Sequence, residues 1–158
     1  MLLAQERDTS DVWRQFAIWL LVGPDDGVLR FTEAGSLQYK AINRVADLYI
    51  NDCKDVDAWQ KAGAKAAYYG SYVYADYAAW HASQAAACAA CAAGAPYAAR
   101  ASYAASYAAA AAEAAAYAAA GAHAADDAAW SAAKAAHYER MADKLIELLQ
   151  AAPLKETK

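Results

Sequence analysis

The feature that most constrains this chain is a tract from Ala62 to Ala136, in which more than half of the residues are alanine and few are charged. Alanine is the strongest helix former and loses no side-chain entropy, but it buries little apolar area per residue. The tyrosines and tryptophans scattered through the tract must therefore supply volume between closely approaching helices. This pattern predicts an all-α protein.

Apolar periodicity and local stop signals divide the chain further. A first amphipathic helix, capped by Thr9 or Ser10, is predicted to end at the Gly-Pro pair at 23–24, and a second is predicted from Ser36 to Ile50. A polar connection follows at 51–55, and a helix capped by Asp52 or Asp55 should run over 56–93 with a kink at Gly70. A fourth helix reaches residue 120 and a last one follows Gly121. We thus expect one domain over 1–158, a bundle of five or six helices. Residues 1–55 form amphipathic helices and loops, 56–152 the Ala/Tyr-rich scaffold and 153–158 a tail.

Charge and cysteine usage exclude several classes of protein. The net charge is −4 and no Lys/Arg cluster occurs, which argues against binding nucleic acid directly and against an anionic membrane surface. Three cysteines make no disulfide framework, so a reducing, cytoplasmic location is expected. Charged residues interrupt the alanine tract too often for a membrane span.

Two N-terminal connections concentrate carboxylates that are candidates for binding a partner protein. If both connections lie at the same end of the bundle, they form an acidic patch able to meet a basic partner; otherwise they are solvated turns and helix caps. These residues are Asp25, Asp26, Asp52, Asp55 and Asp57.

A second candidate surface follows the fourth helix. Tyr103, Tyr107 and Tyr117, with alanines between them, repeat at heptad-like spacing and should face a neighbouring helix. Gaps between such helices could stack a small ligand such as a nucleotide signal and sequester it. The ligand-lining candidates are Tyr103, Tyr107, Tyr117, Glu113, Asp126 and Asp127.

Enzymatic or metal chemistry is a further alternative. Cys88 and Cys91 form a CxxC one heptad after His81 and could share a soft metal, although two small buried thiols explain the spacing as well. His123 precedes Asp126 and Asp127 by three and four residues, which suits a general base or a helix N-terminus equally. No glycine-rich phosphate loop, HExxH or GxSxG occurs. We expect that the protein is not an enzyme and that it binds neither a cofactor nor a metal.

Helices with so little charge on any face are normally surrounded by protein. A single small bundle has limited room to surround several of them. The sequence therefore predicts a homo-oligomer.

The order of parts from Ala41 to Ala136 resembles that of alanine-rich helical immunity proteins and related bacteriophage proteins. An amphipathic helix, AINRVADLYI, leads into an acidic connection, NDCKDVDAW, and then into runs such as YAARASYAASYAAAAAEAAAYAAAGAHAA. The resemblance implies a small accessory protein that binds and neutralises a toxin or a host-defence component. It assigns no role to any single residue.

Overall fold

A computed structural model describes residues 11–71, 76–94, 97–120 and 127–154. Over these ranges the chain forms six α-helices and one 3-10 turn at Val28–Phe31, and no strand, which confirms the predicted all-α bundle. The helices are α1 (Val12–Val22), α2 (Leu37–Ile50), α3 (Val56–Gly70), α4 (Tyr77–Gly94), α5 (Tyr97–Ala120) and α6 (Asp127–Ala151).

Local signals set the end of α1 and the starts of α2 and α3 as the sequence predicts. The Ser36 hydroxyl accepts a hydrogen bond from the backbone N–H of Tyr39 at 3.1 Å, and the Asp55 carboxylate accepts one from Asp57 at 2.9 Å. At the end of α1, a Cβ on Gly23 would stand 2.4 Å from the carbonyl oxygen of Trp19. Glycine is therefore required there. The predicted caps Thr9 and Ser10 lie outside the described residues, and Asp11 precedes α1.

The predicted continuous helix over 56–93 is wrong. Instead of a kink at Gly70, α3 ends there and α4 begins at Tyr77. Ser71 closes α3, since its hydroxyl donates to the Tyr68 carbonyl at 2.6 Å. Asp76 opens α4, because its carboxylate accepts from the backbone N–H of Ala79 at 3.0 Å. These two polar residues stop a run that alanine propensity alone would continue.

The alanine-rich helix α4 lies at the centre of the bundle, in contact with α3 on one side and α5 on another. Its alanines are buried around much of the helix, and the large buried side chains of the core come mostly from α1 and α2, with Tyr107 from α5. The largest fully buried side chains are Tyr107, Leu20, Leu21, Ile42, His137, Val28, Val45 and Ser83. Aliphatic side chains from outside the tract thus supply much of the volume expected from tyrosine and tryptophan.

Small residues bring α3 and α4 into close contact. A Cβ added to Gly70 would stand 2.8 Å from the Cβ of Ser83, and one added to Gly63 would stand 3.0 Å from the Cβ of Ala90. Both glycines lie on the buried face of α3, one heptad apart. The close approach predicted from the composition therefore occurs between these two helices.

Candidate functional site

The connection between α2 and α3 is held by its own backbone. Asp52 adopts a left-handed conformation, with φ of 48°, and its N–H donates to the Tyr49 carbonyl at 3.1 Å. The Cys53 N–H donates to Leu48 at 2.9 Å, and the Cys53 carbonyl accepts from the indole N–H of Trp59 at 3.0 Å. These bonds fix the path of the chain through the connection.

Two buried aromatic residues anchor this connection to the core. The rings of Tyr49 and Trp59 meet edge to face with centroids 4.6 Å apart. The Tyr49 hydroxyl donates to the carbonyl of Ala89, in the middle of α4, at 2.6 Å. The connection is therefore tied both to α3 and to the central helix.

The outer side of the connection is acidic and partly apolar. We call residues 50–57 the acidic knob. Ile50 and Val56 are 52% and 54% exposed, a fraction also reached by Leu37 at the other end of α2 and by Tyr68 near the end of α3. The knob carries Asp52, Asp55 and Asp57 against Lys54, a balance of −2 and so half of the net charge of −4. Lys54 bonds Asp52 at 2.6 Å and lowers the pKa of that carboxyl, whereas the carboxylates of Asp55 and Asp57 are exposed.

The acidic patch expected from both N-terminal connections does not form. Arg14, in the first turn of α1, donates to the carbonyl of Tyr49 at 3.3 Å, so the knob lies beside the start of α1. Asp25 and Asp26 follow its other end, and eleven helical residues at 1.5 Å each separate the two by about 16 Å. Asp26 is also largely buried and bonds Arg140 of α6 at 2.5 Å.

A second cluster, which we call the aromatic cluster, joins α4, α5 and α6. The ring of Tyr117 stacks on Tyr77 with centroids 5.1 Å apart and on His81 at 5.2 Å. Trp130 meets Tyr117 edge to face at 6.2 Å, and Trp80 meets His81 at 4.4 Å. Three helices therefore contribute rings to one cluster, and no single sequence motif contains all of these rings.

An ion pair borders the aromatic cluster. Lys134 of α6 bonds the Glu113 carboxylate of α5, and its ammonium also lies 4.6 Å from the centre of the Trp130 ring. Burial lowers the pKa of His81, Glu113 opposes this shift and Lys134 adds to it. Neutral imidazole is therefore the favoured form of His81.

Only part of the predicted ligand-lining set comes together. Tyr117 belongs to the aromatic cluster and Glu113 borders it, but Tyr107 lies in the core against Phe16, with centroids 6.1 Å apart. Burial, and secondarily the nearby Tyr49, raises the pKa of Tyr107. Tyr103 is 39% exposed, so the predicted seam does not hold there. Asp127 begins α6, and Asp126 lies outside the described residues, as does His123.

The weaker metal alternative gains no support from the geometry. Among the described residues, no three His, Cys, Asp or Glu side chains converge as metal ligands would. His81 stacks in the aromatic cluster, Cys88 is half-buried and Cys91 is exposed. Burial, with a smaller contribution from Cys91, raises the pKa of the Cys88 thiol and so disfavours the thiolate that binds metals.

Comparison with known proteins adds no functional information about these sites. The chain matches no protein-family model, and neither curated proteins nor solved structures give a significant match. Within the described ranges, no helix has the length and apolarity needed to cross a bilayer.

Several residues at these sites were not predicted from the sequence. Ile50 and Val56 were assigned to helix ends without a role, yet both side chains are exposed. Trp130 and Lys134 lie four apart on one face of α6, a spacing that could have suggested their contact. Nothing in the sequence of α6 indicates that they meet Tyr117.

Proposed function

We propose that this chain is a non-catalytic protein-binding module, which uses the acidic knob to bind and block a basic surface of another protein. The observation that carries the proposal is the combination of a fixed backbone with two exposed aliphatic side chains among three carboxylates. The physiological role that suits such a module is that of a phage or bacterial inhibitor, directed at a toxin or a defence component.

Each part of the knob has a use in binding. A backbone already held by Trp59 and Tyr49 loses little conformational entropy on association. The carboxylates accelerate encounter with a positively charged surface and reject acidic ones. Ile50 and Val56 are the side chains that a partner would desolvate, because exposed aliphatic groups gain most from burial.

The test removes the negative charge of the knob with the triple variant Asp52→Asn, Asp55→Asn and Asp57→Asn, which changes its balance from −2 to +1 because Lys54 remains. Asparagine tolerates the left-handed conformation at 52 and caps helices as well as aspartate, so the fold should survive. The matched control neutralises three exposed carboxylates of α6 with Glu139→Gln, Asp143→Asn and Glu147→Gln. Wild type, triple variant and control are compared as baits, and captured partners are cross-linked and mapped.

We expect the partner to be retained by wild type and by the α6 control, and to be lost from the knob variant. Cross-links should involve Lys54 and Lys61, which lie in and beside the knob. A double variant, Ile50→Ser and Val56→Ser, should weaken binding by reducing apolar contact without changing charge. Equal capture by the knob variant and wild type would show that the carboxylates of the knob do not contribute to binding.

Nucleotide sequestration by the aromatic cluster is a second candidate function. It is favoured by Tyr77, which stacks on Tyr117 yet stays 44% exposed, leaving ring surface on which a base could stack. Within the described part of the chain, the indole N–H of Trp130 also lacks a hydrogen-bond partner. A nucleotide that raises the melting temperature of wild type, but not of Tyr117→Leu, would support this function over protein binding.

Self-association stays a prediction. The least charged helix, α4, is already enclosed by helices of its own chain, so its burial does not require a second copy. The molecular mass from sedimentation at tens of micromolar protein tests this prediction, and the mass of a monomer would contradict it.

A further inference from the structure

The connection between α1 and the 3-10 turn meets α6 at a buried histidine. Residues 23–27 form a tight turn, in which the Gly27 N–H donates to the Gly23 carbonyl at 2.9 Å. A Cβ on Gly27 would stand 2.5 Å from the Gly23 nitrogen, so glycine is needed there. The turn brings the Asp26 carboxylate to α6, where it bonds Arg140 at 2.5 Å and lies 4.0 Å from His137 Nδ1.

The surroundings of His137 indicate the protonation state of its ring. The side chain is 1% exposed, and Nδ1 lies 3.3 Å from a guanidinium nitrogen of Arg140. Because a guanidinium can only donate, Nδ1 must accept, and the ring is neutral with its proton on Nε2. That Nε2 is buried and has no hydrogen-bond partner among the residues that the structure describes.

We propose that His137 makes the contact between the Asp26 turn and α6 sensitive to pH, holding the two together while its ring is neutral and loosening them when it is protonated. A protonated Nδ1 can no longer accept from Arg140, and the ring then places a positive charge beside that guanidinium. The new Nδ1–H of the imidazolium would also need an acceptor in this buried site, and the Asp26 carboxylate lies 4.0 Å away, beyond hydrogen-bond distance.

The charged groups that face the imidazole come from both sides of the contact. Arg140 belongs to its own helix, and Asp26 and Arg30 belong to the connection; no charged group of α1 or α5 joins them among the described residues. Burial lowers the pKa of His137 most, Arg140 and Arg30 lower it further, and Asp26 opposes them. The closed state, in which the turn at residues 23–27 contacts α6, therefore disfavours protonation of His137. Protonation in turn favours the opened state, in which this contact is lost.

The direction of the pH effect follows from this shift. Above the ordinary histidine value of 6.5 the ring is neutral in the closed and the opened states alike, and the contact has its full stability. As the pH falls below that value, the opened state takes up a proton first, and the contact weakens until the pH reaches the lower pKa of the closed state.

The imidazole resonances of the wild-type protein test the first step. Nitrogen-edited NMR of the imidazole, assigned with His81→Gln and His123→Gln, should show the Nε2–H tautomer and a titration midpoint below that of free histidine. A midpoint at or above the free value, or an Nδ1–H tautomer, would overturn the proposal.

A double-mutant cycle tests the second step. Asp26→Asn, Arg140→Gln and the double variant are unfolded by denaturant, and the ratio of unfolding constants gives the coupling between the two side chains. We expect a coupling of roughly two- to five-fold at neutral to alkaline pH, as for a partly exposed ion pair. At about pH 5, where aspartate normally remains ionised, it should fall towards one-fold.

The same cycle in a His137→Gln background supplies the control, because a glutamine amide oxygen can accept from Arg140 but does not titrate. The coupling there should be equal at both pH values. A coupling that is independent of pH in wild type, or one that falls equally with glutamine at 137, would show that His137 does not control the contact. If His137→Gln fails to fold, His137→Asn and the NMR midpoint decide the question.

Discussion

Gly70→Ala gives the sharpest test of how α3 and α4 pack, because two physical effects predict opposite signs. Alanine at a helical position is worth about 1 kcal/mol over glycine, and Gly70 has no left-handed backbone that alanine would strain. The new Cβ, however, would stand 2.8 Å from the Ser83 Cβ, which is 0.6 Å nearer than the 3.4 Å at which ordinary contact begins. Overpacking of this kind costs about 1–3 kcal/mol. We expect a net destabilisation of about 1 kcal/mol.

Denaturant unfolding measures this difference, and melting temperature provides a second readout, with about 2–4 °C expected for 1 kcal/mol in a chain of this size. Ala64→Gly, at an exposed position of the same helix, calibrates the propensity effect without any clash and should cost about 1 kcal/mol. Ser83→Gly should relieve the contact, so that Gly70→Ala destabilises less in its presence than in wild type.

A stabilisation by Gly70→Ala comparable to the calibration from Ala64→Gly would refute the argument. It would mean that the two helices separate at little cost and that the close approach is not a source of stability. Additivity between Gly70→Ala and Ser83→Gly would likewise show that the two positions do not restrict each other.

Two further predictions concern the core and the thiols. Tyr49→Phe should destabilise the protein by about 1 kcal/mol, measured by denaturant unfolding, because it removes a buried hydrogen bond to the Ala89 carbonyl and leaves the ring in its edge-to-face contact with Trp59; an unchanged midpoint would show that the bond adds nothing. Cys91 should react with iodoacetamide before Cys88 in the native protein, followed by peptide mass spectrometry, because Cys91 is exposed and burial raises the pKa of Cys88; equal rates in the native protein, differing from those in denaturant, would contradict this order.

Much of the N-terminal fold could be predicted because the signals that end its helices are local. Ser36 and Asp55 bond backbone groups within three residues, and Gly23 lies against its own helix. The break after Gly70 could not be predicted in the same way. Ser71 and Asp76 are ordinary cap residues, but they stand in a run where alanine and tyrosine favour helix on both sides, so only the return of α4 against α3 decides the outcome.

The candidate sites were harder to predict than the N-terminal helices, because they depend on which helices pack together. The carboxylates of the knob were recognised as candidates because they are neighbours in sequence, and their joint patch with Asp25 and Asp26 failed because α1 separates the two connections. The aromatic cluster draws Tyr117, His81 and Trp130 from three helices. No periodicity within one helix reports which residues of another helix it will meet.

The enclosed position of α4 sets a limit on the size of its side chains. A helix in contact with neighbours on several sides admits alanine, and also serine or cysteine, which differ from alanine by one heavy atom. Ser83 and Cys88 belong to this size class, so their presence needs no chemical role. On the enclosed faces of α4 the repetitive composition is therefore the record of a volume restriction, and a large side chain such as Tyr77 occurs on this helix where the restriction ends, at the side of the bundle.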